Sequence, residues 1–168
     1  AMLRLMPLSF SRTLRSMVHL ENGFGVTSNH NSITGFTDDE TVMLDLDNMS
    51  FKEVKWLARR TMEFWELGGF LVLRSSAGSY HVVFDRSVSW GENLQVVAWV
   101  VLDSGSEDLK RWLVMQCRKG SSTLRVGPKG EKPSPRIVYR EGSESEQIRG
   151  FIQYRLLIKR VNRFNVSH

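Results

Sequence analysis

"FLVLRSSAGSYHVVFDR", residues 70–86, organises the reading of the whole chain. Two apolar, β-branched runs flank Ala77-Gly78, and small residues at that point predict a hairpin turn between two antiparallel strands. Working back, "SFKE" at 50–53 is a capping box, with Ser50 and Glu53 able to cap each other's backbone N–H groups. The helix behind it places Val54, Leu57, Ala58, Met62 and Trp65 near helical spacing, with Gly68-Gly69 as its stop. Before the box, "TVMLDLDN" at 41–48 reads as a strand. Working forward, Ser89 and Glu92 form a second capping box ahead of "ENLQVVAWVVLD". That segment has the valines of a strand, but its cap favours a helix.

Ser106 then caps "EDLKRWLVMQCRK", which Gly120 ends. "STLRVG" (122–127) and "PRIVYR" (135–140) read as a strand pair around a Gly/Pro/Lys loop. Ser143 and Glu146 form a third box, opening a basic helix that runs to about Phe164. From residue 41 the order is strand, helix, strand, strand, helix region, strand. This predicts an α+β fold: a ferredoxin-like or RNA-recognition-like split βαβ core, a helix-backed antiparallel sheet, and added N- and C-terminal elements. No repeat or linker interrupts the 168 residues, so they read as one domain with its core at about 41–140.

Composition narrows the class. The hydrophobic fraction of 41% and charged fraction of 24% suit a globular chain, and no apolar run reaches the length of a membrane span, so no membrane partner is expected. The single cysteine, Cys117, excludes an internal disulfide and suits a reducing, cytoplasmic setting; on its helix it reads as a small buried hydrophobe. Arg4, Arg12 and Arg15 precede the first acid, Glu21, faintly like a transit peptide, but the segment reads better as a first structural element.

The net charge of +5 is unevenly distributed. Nine Lys/Arg and one acid, Glu131, lie between Lys110 and Arg140, whereas Asp38, Asp39, Glu40, Asp45 and Asp47 cluster earlier. A basic half facing an acidic cluster suits a polyanionic partner together with a cation site.

On a strand, Asp45 and Asp47 share a face, and like charges held that close are costly unless a cation lies between them. Paired carboxylates suit Mg2+ or Mn2+; such a pair at a strand end is more often a cap for the following helix, which Asp47 and Asn48 could supply. His81 lies just past the hairpin turn, preceded by Arg74 and three serines. It reads either as a half-buried structural side chain or as a ligand contact, with Arg74 as a phosphate donor. Arg125, Lys129, Lys132 and Arg136 surround the Gly/Pro loop, as a solvated hairpin or a phosphate clamp. Arg155, Lys159 and Arg160 on the last helix could extend a track for DNA. The five tryptophans read mostly as core, and "GPKG" is too short for a Walker loop.

A strand-borne Asp-x-Asp ("LDLD", 44–47), followed by a hairpin whose second strand carries Ser-x-His ("SYH", 79–81), resembles the archaeo-eukaryotic primase superfamily. "STLRVGPKGEKPSP" (122–135) is also similar to the Leu-Arg-x-x-Gly segments of its plasmid and phage members, so the match spans about 41–140. The resemblance implies that Asp45 and Asp47 bind divalent metals and that Ser79 and His81 meet the triphosphate of an incoming nucleotide. It also implies a third acid after a hydrophobic residue: Asp103 following Leu102, Asp108, or Asp85. The implied activity is template-dependent nucleotidyl transfer, a DNA primase or polymerase. DNA template, nucleoside triphosphates and a helicase or other replication protein would be its partners. The alternative is a degenerate primase-like module that binds nucleic acid at replication initiation without synthesis. A rolling-circle initiator would need a His-x-His pair, which the sequence lacks.

Overall fold

The computed structural model describes residues 18–19, 25–29 and 32–166, with side chains placed over 35–160. Residues 1–17, expected to form a first element, lie outside this range. In chain order the elements are β1 (Val18–His19), β2 (Gly25–Asn29), β3 (Ser32–Asp38), β4 (Thr41–Asp47), α1 (Phe51–Trp65), β5 (Gly69–Ser76) and β6 (Ser79–Ser87). They continue with α2 (Trp90–Ser104), α3 (Glu107–Lys119), β7 (Ser122–Arg125), β8 (Arg136–Gly142) and α4 (Gln147–Val166). The chain is α+β.

The strands form two antiparallel four-stranded sheets, ordered β1-β2-β3-β7 and β4-β6-β5-β8. In the second, β6 lies between β4 and β5 and runs antiparallel to both, so β4-α1-β5 with β6 inserted is the expected split βαβ unit. Strands β4, β6 and β5 of this sheet are buried on both faces. Val42, Leu44, Leu46, Phe70, Val72, Val82 and Phe84 pack towards the helical side with residues of α1 and α2 such as Leu57 and Val97. Met43, Leu71, Leu73 and Val83 pack on the other face with Phe36 and Leu124 of the first sheet and Ile148, Phe151 and Ile158 of α4. Double burial explains why "TVML" and "FLVL" are continuously apolar rather than alternating.

Helices α1, α2 and α3 form where their caps place them. Ser50 and Glu53 make both bonds of the capping box. Ser89 and Ser106 cap α2 and α3, and "ENLQVVAWVVLD" is helical despite its valines. The Ser89 box is only half made, because the Glu92 carboxylate accepts from Arg86 instead of from the cap.

Four expectations are corrected. The strands at 122–125 and 136–142 do not pair with each other: β7 joins β3, and β8 joins the outer edge of β5. The ten residues between them carry Pro128, Pro133 and Pro135, and this prolines-and-lysines stretch crosses from one sheet to the other instead of turning back as a hairpin. Gly68-Gly69 does not end α1, whose C-cap is Glu66 in the left-handed region (φ 53°). Gly69 is instead needed for close packing, since a Cβ there would lie 2.0 Å from the Ser143 carbonyl oxygen. Finally, Ser143 and Glu146 do not form a capping box. Ser143 donates to Asp85 of β6, and that carboxylate also accepts from the backbone N–H groups of Ser145, Glu146 and Ile148, capping α4 from outside its own segment. Cys117 is also exposed, not buried.

Among the described residues, no helix is long and apolar enough to cross a membrane.

Candidate functional site

The β4–β6 ladder sets the site. Asp45 pairs in register with His81 and Asp47 with Ser79, while His81 pairs on its other side with Leu73 of β5. Because the pleat alternates, these side chains share the face of Met43, Leu73 and Val83, on the side of the first sheet and away from α1 and α2. An irregularity between Arg74 and Ser76 turns the end of β5, and Ser75 and Ser76 join the same open cleft of about 510 Å³. Its opposite wall comes from the end of β7 and the loop beyond: Arg125, Lys129, Glu131 and Lys132.

Asp47 does not cap α1, a role taken by Ser50. Asn48 turns the chain out of the strand with φ 58°, and Met49 N–H donates to the Gly78 carbonyl at 3.3 Å, tying the end of β4 to the hairpin turn. The two carboxylates are thus held side by side by a strand end fixed on both sides.

The electrostatics of the pair are unusual. Burial, and then the Asp47 charge, push the Asp45 carboxyl up to about 6, against the opposing influence of Arg125 and Lys132. His81 is almost fully buried, with Nε2 3.4 Å from an Asp45 oxygen. Burial, reinforced by the Arg125 charge, pushes its pKa down to about 3. The contact is therefore one between a neutral imidazole and a carboxylate, not an ion pair. His81 Nδ1 is buried with no hydrogen-bond partner among the described residues.

The donor set suits a hard divalent cation: two same-face carboxylates, one with its charged form disfavoured, beside serine hydroxyls. Asp45 and Asp47 would hold it. Among the described residues, however, no group of three or more His, Cys, Asp or Glu is placed to hold a metal.

Several expected site residues lie elsewhere. Asp103 is on α2, across the sheet from the cleft, and pairs with Arg60 at 3.0 Å. Asp108 starts α3 and accepts from the Asn48 side chain at 2.9 Å, outside the cleft lining. Asp85 caps α4. Arg74 is exposed and lies at a register position one residue out of phase with the cleft face. Arg136 pairs in register with Arg74 on the outer edge strand and does not line the cleft. Arg155 is half-buried and donates to the Pro135 carbonyl, and Arg160 is exposed on α4; neither they nor Lys159 line the cleft. Lys132, read as a DNA contact, joins Lys129 in the cleft wall.

Conversely, Glu131, Ser75 and Ser76 line the cleft without having been singled out. Glu131 had a signal in its isolation within a basic stretch, and the serines in the small-residue run before His81. Of the tryptophans, Trp65, Trp99 and Trp112 pack on the core, whereas Trp56 is exposed beneath Arg60.

Compared with family models, curated proteins and solved structures, the chain matches none.

Proposed function

We propose that the cleft binds a nucleoside triphosphate with Mg2+ or Mn2+ and performs template-directed nucleotidyl transfer in DNA replication. The observation that carries this reading is the cross-strand register, which sets Asp45 opposite His81 and Asp47 opposite Ser79, facing a wall of Arg125, Lys129 and Lys132. An acidic end that can hold a cation and a basic wall that can hold phosphates are what phosphoryl chemistry needs, because its catalysis is mostly positioning and charge neutralisation. Bound there, a divalent cation would neutralise charge on the phosphoryl oxygens as a 3′-hydroxyl displaces pyrophosphate from the α-phosphate.

The chain's own contributions follow from geometry. Asp45 and Asp47 hold the cation. Ser79 and the neutral His81 offer hydrogen bonds to phosphate oxygens, and Lys129 and Lys132 offset charge on the far side. Primer extension with radiolabelled nucleotides, with and without Mn2+, tests the reading; no incorporation by the folded protein in either condition would defeat it.

A second reading is favoured by one observation. Asp103, the acid expected to complete the set, is paired with Arg60 on the far side of the sheet. This supports a degenerate module that binds nucleotide and nucleic acid at replication initiation without synthesis. Manganese-dependent nucleotide binding with no incorporation on any primed template would select it.

A further inference from the structure

Arg125 ends β7 where the two walls of the cleft meet, and its guanidinium is engaged by main-chain carbonyls. Nη1 donates to Gly127 O at 2.9 Å and to Pro133 O at 2.7 Å, and Nη2 donates to Ser75 O at 2.7 Å. Gly127 and Pro133 are the two ends of the loop that carries Lys129 and Lys132, and Ser75 is at the end of β5, in the cleft itself. One planar group therefore draws the ends of the loop together and fixes them to the opposite sheet. Within the loop, Lys129 and Lys132 exchange backbone hydrogen bonds of 3.0 and 3.1 Å around Gly130, whose φ is +56°.

We propose that Arg125 is a positioning residue: it pins the base of the 127–133 loop so that Lys129 and Lys132 are presented to the anion in the cleft, and does not itself serve as the phosphate ligand. The identity of that anion rests on the nucleotide reading above; the pin does not. The rigid fork of an arginine can satisfy three carbonyls in fixed directions, which the ammonium of a lysine on its flexible stem cannot reproduce. Charge and pinning can thus be separated by one substitution.

The test compares wild type, Arg125→Lys and the double variant Lys129→Gln with Lys132→Gln. Two quantities are read: backbone amide exchange at positions 129 and 132, and binding of inorganic tripolyphosphate with Mn2+. Arg125→Lys should speed exchange at both amides by about 10-fold or more, as expected if roughly one to two hydrogen bonds of constraint are lost. It should weaken tripolyphosphate about as much as the double variant does, although the charge is retained. The double variant should keep exchange slow.

If Arg125→Lys leaves the two amides protected yet weakens tripolyphosphate, Arg125 is a ligand and the pin is overturned. Should Arg125→Lys fail to fold, the double variant still decides: unchanged tripolyphosphate affinity would mean the loop presents nothing, overturning the proposal. Failure of wild type to bind tripolyphosphate would end the nucleotide reading and the presentation part of the proposal with it, while the exchange data would still decide whether Arg125 pins the loop.

Discussion

Asp45 and Asp85 lie on the same face of the same sheet, at opposite ends, and have opposite fates. Asp85 is buried, which by itself would raise its pKa, but the Ser143 hydroxyl and the N–H groups of Glu146, Ser145 and Ile148 together outweigh burial and hold it below the usual carboxylate range. Asp45 has burial and Asp47 against it, only the charges of Arg125 and Lys132 in its favour, and is raised to about 6. A buried acid answered by main-chain donors has a structural task. One left beside a second acid is strained in its charged form, and that strain is relieved by a proton or by a cation from outside.

The largest expected effect separates the two ends by activity. Asp45→Asn with Asp47→Asn should reduce manganese-dependent incorporation by about 100-fold or more, roughly 2.7 kcal/mol of barrier, with no loss in melting temperature. Unfolding of this variant would make the pair structural, as Asp85 is.

Next in size, Asp85→Ala should destabilise the fold by about 2 kcal/mol in urea titrations at pH 7, since several buried donors lose their acceptor together. The sign with pH follows from its lowered pKa. The stability from Asp85 is fully present above the unfolded value near 4 and is lost as pH falls through the folded value. The gap between wild type and variant should therefore close in acid. A gap independent of pH would mean that packing, not the charged cap, holds α4.

Asp45 should behave in the reverse sense. Its folded pKa is raised, so its contribution to stability is present below about pH 4 and lost as pH rises to about 6. With its side chain one-third exposed, Asp45→Asn should stabilise the protein at pH 7 by on the order of 1 kcal/mol and have no effect at pH 3.5. Mn2+ should raise the melting temperature of wild type but not of this variant. Equal stabilisation of both by Mn2+ would place the cation elsewhere.

The smallest effect concerns the acid that proved remote. Asp103→Asn breaks a partly exposed pair with Arg60 and should cost about 0.5 kcal/mol or less. Incorporation should stay within about twofold of wild type; a tenfold loss would return Asp103 to the chemistry.

How much was legible depended on the range of the interaction responsible. The hairpin at Ala77-Gly78 and the Ser50 capping box are decided within a few residues, and both appear as read. Asp45 and Asp47 were legible as a pair because two-residue spacing puts side chains on one face, and His81 because it follows a tight turn. Ser79 was reached only through the resemblance of its Ser-x-His motif. Asp103 followed an apolar run in a suggestive way, but nothing local states which face of the sheet its helix covers. Arg74 was similarly ambiguous, since a one-residue change of phase moves a side chain through the sheet.

By itself, then, the sequence determined the α+β class, helices α1 to α3 with their serine caps, and the acidic end of the cleft, because each rests on period, capping or turn chemistry within a short segment. Only the tertiary structure decided that β7 and β8 part into different sheets and that Asp85 caps a helix some sixty residues away. It alone also set Arg125, Lys129 and Lys132 against Asp45 and Asp47. Those arrangements arise from burying both faces of one sheet beneath different layers. A choice of layer made by the whole core leaves no periodic mark on the residues that it brings together.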